Sequence, residues 1–467
     1  MDHGTRGWRW FVAESPRPRR IATWTGAPWL VIATVCFGAF MGQFDASIVT
    51  LAFPALAQHF AAPPAAIEWV SLSYLLALVA LLAAVGKLAD VIGRKLVYIY
   101  GFAVFTAASV ACCFAPNLTT LVVFRVVQGV GAAMLQANSV ALVVTSVPRE
   151  RMRTALGVQA AAQALGLALG PTVGGVLVGT LGWQSVFAIN VPIGVVAMVA
   201  GHYLLPRTRD CVRHTRFDLV GTVLLAATTT AALLALSGVS GLHVPVWPLL
   251  AITVVAAGLL WWWERRVAAP LLDLALLRTA TVSRGLLGAL CGYLVLFGPL
   301  VAVPFASAGS PLTTGLMLTS LPAGFAVAAT VGPRLLPRSW SSARVGAWLA
   351  AAAALVPVVA PGLLVPALAC LGFGLGVFTP ANNAAVMAAL PAGHAGLGGG
   401  LVNTTRGLGT ALGIAISTFL LHTGGGGGLR TTFAVLAAVA AVCALSTPFS
   451  RTGARSAGHS PQGTYTQ

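Results

Sequence analysis

Asp45 and Arg125 are opposite charges set inside long apolar segments of this chain. A carboxylate and a guanidinium in hydrocarbon are costly unless each has a partner or faces water. Asp45 lies about four residues past the midpoint of its segment, roughly 6 Å at 1.5 Å per residue. Arg125 lies about seven residues into a segment that runs the other way, which brings it to a similar depth. Two readings follow: a permanent, architectural ion pair, or a carboxylate whose proton affinity depends on whether Arg125 and water are near. No Asp or Glu follows Asp273, so a carboxylate that works within the membrane belongs to the first half or the linker, and Asp45 is the deepest. Glu68, beside Trp69, reads as an interfacial residue, and Asp218 as an acid complementing a helix N-terminus. Arg406 is a third intramembrane charge, and its own half has no acid to pair it. It can face a cavity and hold an anionic or polar group, or lean on helix carbonyls. Asn382, Asn383, Asn403 and Thr404 share its region, with interhelical hydrogen bonding as the alternative for the asparagines.

The elements that must position these residues are about fourteen apolar stretches of about twenty residues or more, the length a helix needs to cross a ~30 Å hydrocarbon core. They are expected at 28–54, 66–86, 96–114, 118–146, 154–180, 184–205, 217–239, 245–264, 282–308, 311–333, 343–360, 364–389, 396–422 and 430–448. With 58% hydrophobic and 8% charged residues and a mean hydropathy of +0.89, the chain is a polytopic membrane protein. An even number of spans puts both termini on one side. All of the 27 basic residues except Arg125, Arg406 and Arg430 then fall in the tails or the loops of that same side, which the positive-inside rule makes cytoplasmic. The net charge of +17 is therefore read as topology signal and headgroup contact rather than a nucleic-acid surface. The first span is too long for a signal-peptide core and is expected to be retained.

Several chemistries are absent. Of the seven cysteines, Cys211 lies in a loop and the rest in spans, so no disulfide framework or metal-ligand spacing forms. No phosphate-binding G-x-x-x-x-G-K-[ST] loop exists. The eight histidines are scattered, without the clustered His, Asp or Glu an integral membrane enzyme would need.

The organisation expected is a cytoplasmic tail 1–27, a six-helix bundle 28–205, a linker 206–281 carrying two spans, a second six-helix bundle 282–448, and a disordered tail 449–467. Gly424 to Gly428 would form a flexible hinge. A weak echo between Gly86–Lys95 and Gly332–Arg338, each following the second span of a bundle, suggests duplicated bundles. In the loop Gly86-Lys-Leu-Ala-Asp90-Val-Ile-Gly93-Arg94-Lys95, the glycines permit a tight turn and Asp90 can pair with Arg94 or cap a helix. The loop reads as an ionic latch or as a topology signal with one neutralising acid. In the fifth span Gly166, Gly170 and Gly174 recur every four residues, a stripe along which another backbone can come close, and Pro171 bends the helix within it.

These segments carry a resemblance. GKLADVIGRK resembles the G-x-L-A-D-(R/K)-x-G-R-(R/K) loop of the major facilitator superfamily, with Val91 where that family has a basic residue. Phe44-Asp45-Ala-Ser-Ile-Val-Thr-Leu-Ala-Phe-Pro54 is similar to the L-D-x-T-I-V-N-V-A-L-P segment of its fourteen-span drug:proton antiporter branch. Arg125-Val-Val-Gln128-Gly129-Val-Gly131 looks like R-x-x-Q-G-x-G. Gly166 to Gly175, with Gly170, Pro171 and Gly174, looks like the antiporter signature G-x-x-x-G-P-x-x-G-G, and Trp183, Phe187, Asn190 and Pro192 match the stretch that follows it. The likeness is strong over residues 40–195 and holds only as a pattern beyond.

The resemblance implies an all-α protein of two six-helix bundles in pseudo-two-fold arrangement plus two linker helices. It implies a proton-driven exporter of small hydrophobic or amphipathic compounds that works by alternating access in the cell membrane, as a monomer without cofactor. Asp45 and Arg125 would couple protons, and Gln128, Asn382, Asn383, Asn403 and Arg406 would line the substrate cavity. The net intramembrane charge argues against a dedicated polycation pump. A same-fold carrier of one amino acid, sugar or siderophore is the alternative, and a membrane enzyme the rival class.

Overall fold

The computed structural model describes residue 14 and residues 16–148, 151–208, 218–238, 246–267, 278–307, 309–335, 342–389, 395–423 and 427–447. Every regular element among them is helical, as expected where no water is available to satisfy open backbone groups. Fourteen helices of fifteen residues or more follow one another. The first six are α1 Ala27–His59, α2 Trp69–Ile92, α3 Arg94–Cys113, α4 Leu118–Ser146, α5 Met152–Leu181 and α6 Asn190–Leu204. A pair follows, α7 Leu219–Gly238 and α8 Val246–Glu264. The last six are α9 Ala280–Ala306, α10 Pro311–Leu335, α11 Ser342–Val359, α12 Leu364–Ala388, α13 Ala395–Thr423 and α14 Gly428–Ser446. Among the described residues twelve helical segments are long and apolar enough to cross a membrane; α7 and α13 lie outside that twelve and complete the order.

Contacts at helix ends show the alternation of direction. On the face carrying the N-terminus, Arg17 Nε donates to the Leu204 carbonyl at the end of α6 (2.8 Å), and Arg344 at the start of α11 donates to the Thr447 carbonyl after α14 (2.7 Å). On the opposite, far face, Trp183 after α5 stacks against His59 and Phe60 at the end of α1.

The two groups of six pack by one scheme. In the first, α1 lies on α5, α2 on α4, and α3 on both α4 and α6; adding eight to each number gives the packing of the second, α9 on α13, α10 on α12, and α11 on both α12 and α14. The seams between groups, α5 with α10 and α2 with α13, exchange under the same operation. This is the pseudo-two-fold arrangement of two bundles. The remaining pair packs on itself, with α7 resting against α2 and α13. Asp218 caps α7, its Oδ1 accepting from the Gly221 N–H at 2.8 Å.

Two expectations change. The segment before α1 is not simply a solvated tail: Glu14 is buried, and both its carboxylate oxygens accept from Thr208, from the backbone N–H (2.7 Å) and the hydroxyl (2.8 Å). Glu68 is not interfacial but fully buried, because the turn Pro64–Ile67 tucks the start of α2 against α13. The tail 449–467, Gly424–Gly426, Cys211 and residues 336–338 of the echo lie outside the described residues.

The far half of the seam is tight. A Cβ on Gly175 of α5 would stand 2.6 Å from the Pro311 carbonyl, Gly315 of α10 abuts the Pro171 carbonyl, and Thr172 bonds to Thr319. Within the second bundle Gly374 is as confined, with Ala350 N and Gly346 O each 2.6 Å from its would-be Cβ. Gly374→Val is expected to lower thermal stability by about 1–3 kcal/mol through overpacking. Gly175→Val, by contrast, should spread the bundles and raise labelling of Thr172→Cys by a thiol reagent that cannot cross the membrane. An equal melting-temperature loss in both with no gain in labelling would show that the seam cannot part from the bundle interior.

Candidate functional site

Asp45 and Arg125 meet at the centre of the first bundle, both fully buried. Arg125 Nη1 donates to Asp45 Oδ2 at 2.7 Å. The other carboxylate oxygen accepts from Gln128 Nε2 (3.1 Å) and Asn190 Nδ2 (2.8 Å). Arg125 also donates to the Val70 carbonyl (2.7 Å) and to Gln128 Oε1 (2.6 Å), and Gln128 continues to Ser109 Oγ (2.8 Å). Five helices therefore send groups to one carboxylate–guanidinium pair: α1, α2, α3, α4 and α6. The helix periodicity explains how: Arg125 and Gln128 are three residues apart and share one face of α4. Asn190 reaches the pair because the positive-φ turn at Gly182 (φ 82°) and the packed rings of Trp183 and Phe187 fix the start of α6.

The network is not closed. Arg125 Nη2, Asn190 Oδ1 and the Tyr74 hydroxyl are buried without a hydrogen-bond partner among the described residues. A purely structural ion pair in a protein interior normally satisfies all of its members. These uncommitted donors and acceptors all lie around the Asp45–Arg125 pair.

Tyr74 links this pair to the space between the bundles. The Arg125 guanidinium lies 4.3 Å from the centre of its ring, and the same residue lines a central cavity of about 30 Å³, room for one or two water molecules. The first bundle contributes Gln43, Gln136 and Gln163, from α1, α4 and α5; the second contributes Tyr293, Asn403 and Arg406, from α9 and α13. The Arg406 guanidinium stacks 4.3 Å from the Tyr293 ring centre, bonds to the Tyr293 hydroxyl, and lies 3.4 Å from Asn403 Oδ1.

Of the residues expected to line the cavity, the structure brings Asn403 and Arg406 there. Gln128 is instead folded beneath Asp45. Asn382 donates to the Gly285 carbonyl at 2.8 Å and ties α12 to α9, and neither it nor Asn383 lines the cavity. Gln43, Gln136, Gln163 and Tyr293 went unnoticed in the sequence. The signal was available as isolated polar residues within apolar spans, but nothing in their spacing makes them converge.

In the expected latch, Gly93 takes φ 110° in the turn between α2 and α3. Lys95 is buried and donates to the Leu205 carbonyl at 2.8 Å, while its backbone N–H reaches Thr208 Oγ1 at 3.1 Å, so it binds its own bundle. Gly86 lies near Ala137 of α4, Arg94 begins α3, and the side chains of Lys87 and Asp90 lie outside the described residues. The stripe of α5 packs on α1: Gly166 against Phe40, Gly170 against Ser47 and Gly174 against Ile48, while Pro171 and Gly175 turn to α10.

Comparison with known proteins agrees with this architecture. Residues 35–217 match the family profile described as Major Facilitator Superfamily. The riboflavin transporter RibZ of Clostridioides difficile is 31% identical over 408 residues, covering 83% of this chain and 87% of that protein. The methylenomycin A resistance protein of Streptomyces coelicolor is 33% identical over 430 residues, covering 88% and 89%. The crystal structure of the human organic anion transporter MFSD10 superposes with a TM-score of 0.62 at 16% identity, over 90% of this chain and 99% of that one, a likeness of fold.

Removing one member of the buried pair leaves the other uncompensated, a loss of about 3–5 kcal/mol. Arg125→Leu is expected to lose stability on that scale, and Arg125→Leu with Asp45→Leu to recover most of it, measured as thermal unfolding in detergent. Additive losses in the double variant would mean that the two charges are not energetically coupled.

Proposed function

The chain belongs to the major facilitator superfamily, and from that premise we propose that it is a proton-driven exporter of small amphipathic compounds. The observation that carries the reading is a fully buried carboxylate, Asp45, held by Arg125, whose guanidinium lies over the ring of Tyr74, a residue that lines the inter-bundle cavity. In this reading the basic face carrying the N-terminus is cytoplasmic, all fourteen helices span the cell membrane, and the protein works as a monomer without cofactor. The methylenomycin A resistance protein among its relatives supports export of a toxic compound. The riboflavin transporter favours the second reading, a carrier dedicated to one metabolite.

The cycle follows from the contacts. A proton on Asp45 removes the charge that makes its bond to Arg125 strong, leaving the guanidinium to Val70, Gln128 and the Tyr74 ring. The hold between α1 and α4 weakens. Because α1 carries α5 along the glycine stripe, and α5 closes the far half against α10, the loosened pair lets that seam part and cargo leave. Loss of the proton toward the cytoplasm restores the pair and the closed seam. The energies match: moving one charge through a potential of about 150 mV supplies ~3.5 kcal/mol, comparable with the ~3–5 kcal/mol at stake when a buried pair is broken.

Asp45→Asn removes the buried ion pair and is expected to lose stability with it, so the folded fraction is purified before reconstitution; that fraction is expected to bind cargo yet show no uphill efflux driven by a pH gradient in proteoliposomes. Undiminished gradient-driven efflux would sink the coupling role. Tyr74→Leu should leave the pair formed while lowering the number of cargo molecules moved per proton; wild-type coupling in that variant would show that the ring does not connect the two sites.

A further inference from the structure

We propose that the cavity selects an anionic, acceptor-rich planar cargo, with Arg406 holding the acid group and the glutamines of the first bundle holding its body. This deepens the exporter reading and rests on the inter-bundle cavity being the cargo chamber.

The cation in the cavity has no acid to neutralise it. The second bundle contains no Asp or Glu at all. In the first bundle Asp45 is committed to other partners, Oδ2 to Arg125 and Oδ1 to Gln128 and Asn190. Arg406 itself is held by neutral groups: it stacks on Tyr293 and contacts the Tyr293 hydroxyl and Asn403. Its remaining N–H groups have no partner among the described residues, and a guanidinium offers five donors in a plane suited to a carboxylate or a similar oxyanion. A cationic cargo would meet Arg406 with no carboxylate free to offset the repulsion.

The opposite wall is chemically different. Gln43, Gln136 and Gln163 line the cavity, and their side-chain amides make no hydrogen bond among the described residues. Three uncommitted amides can donate to carbonyl or ether oxygens, and Phe297, 6.3 Å from Tyr293 between ring centres, adds an aromatic side chain to the lining. The two walls belong to different bundles. The cavity as it stands has room for one or two water molecules, so the bundles must part to admit a cargo whose acid group rests on α13 and whose carbonyl acceptors meet α1, α4 and α5.

The test uses purified protein in phosphatidylcholine nanodiscs, without any gradient, and three matched probes: anthraquinone-2-carboxylate, its methyl ester, and 2-(aminomethyl)anthraquinone. Wild type should bind the carboxylate about ten- to a hundredfold more tightly than the ester, the range of a charge-assisted hydrogen bond, and the amine most weakly. Arg406→Gln should bring the carboxylate down to the ester, whereas Gln163→Leu should weaken both alike. The proposal is overturned if wild type binds the ester or amine as tightly as the carboxylate, if it shows no saturable carboxylate binding, or if Arg406→Gln keeps the preference. The wild-type comparison stands even where a variant fails to fold. Binding at equilibrium does not depend on Asp45 coupling, so failure of proton-driven efflux and failure of this selectivity are read separately.

Discussion

A charge placed in hydrocarbon has to find a partner, and in this protein that demand organises half the molecule. Asp45 and Arg125 draw donors and acceptors from α1, α2, α3, α4 and α6 to one point. The fifth neighbour, α5, joins by glycine contacts instead of polar ones. No other place among the described residues ties so many helices through one group, so its charge state bears on how they all pack.

The two bundles share a packing scheme but divide the chemistry. The first holds Asp45, the carboxylate deepest along a span, and balances it internally. The second has the same helix contacts and no acid, and its deep arginine is left to an aromatic ring and an amide. The two deep charged groups are thus distinct yet adjacent. Tyr74 is the point of adjacency, with one face on Arg125 and one on the cavity. Between the bundles the far seam is built of Gly175, Gly315 and small hydroxyl residues. Such a surface lets backbones meet closely while interlocking few side chains, so it can open without dismantling either core.

Much of this was legible in the chain. Apolar length gave the helices, because a backbone in lipid has so few options. The basic loops gave a consistent alternation, and the spacing of Gly166, Gly170 and Gly174 foretold a close neighbour, which proved to be α1. What escaped reading were residues whose role depends on partners far along the chain. Asn190 was visible as part of a stretch resembling the family's, yet its bond to Asp45 joins positions 145 residues apart. Glu14 lies in the segment expected as a cytoplasmic tail, and its bonds to Thr208 join positions 194 residues apart. For Asn382 the sequence left a cavity role and an interhelical bond open, and its bond to the Gly285 carbonyl is the interhelical one.

By itself the sequence determined the membrane class, the helix order, the acid deepest along a span and the absence of any acid in its own bundle to answer Arg406, since these follow from composition and from distance along a helix. Only the tertiary structure decided which face each polar side chain presents. Helices of this apolarity carry little amphipathic signal, and in a bilayer both their lipid-facing and bundle-facing sides are apolar. The rotation that turns Gln43, Gln136 and Gln163 toward the cavity, and Gln128 away from it, is set by packing against neighbours and not by any pattern within one helix.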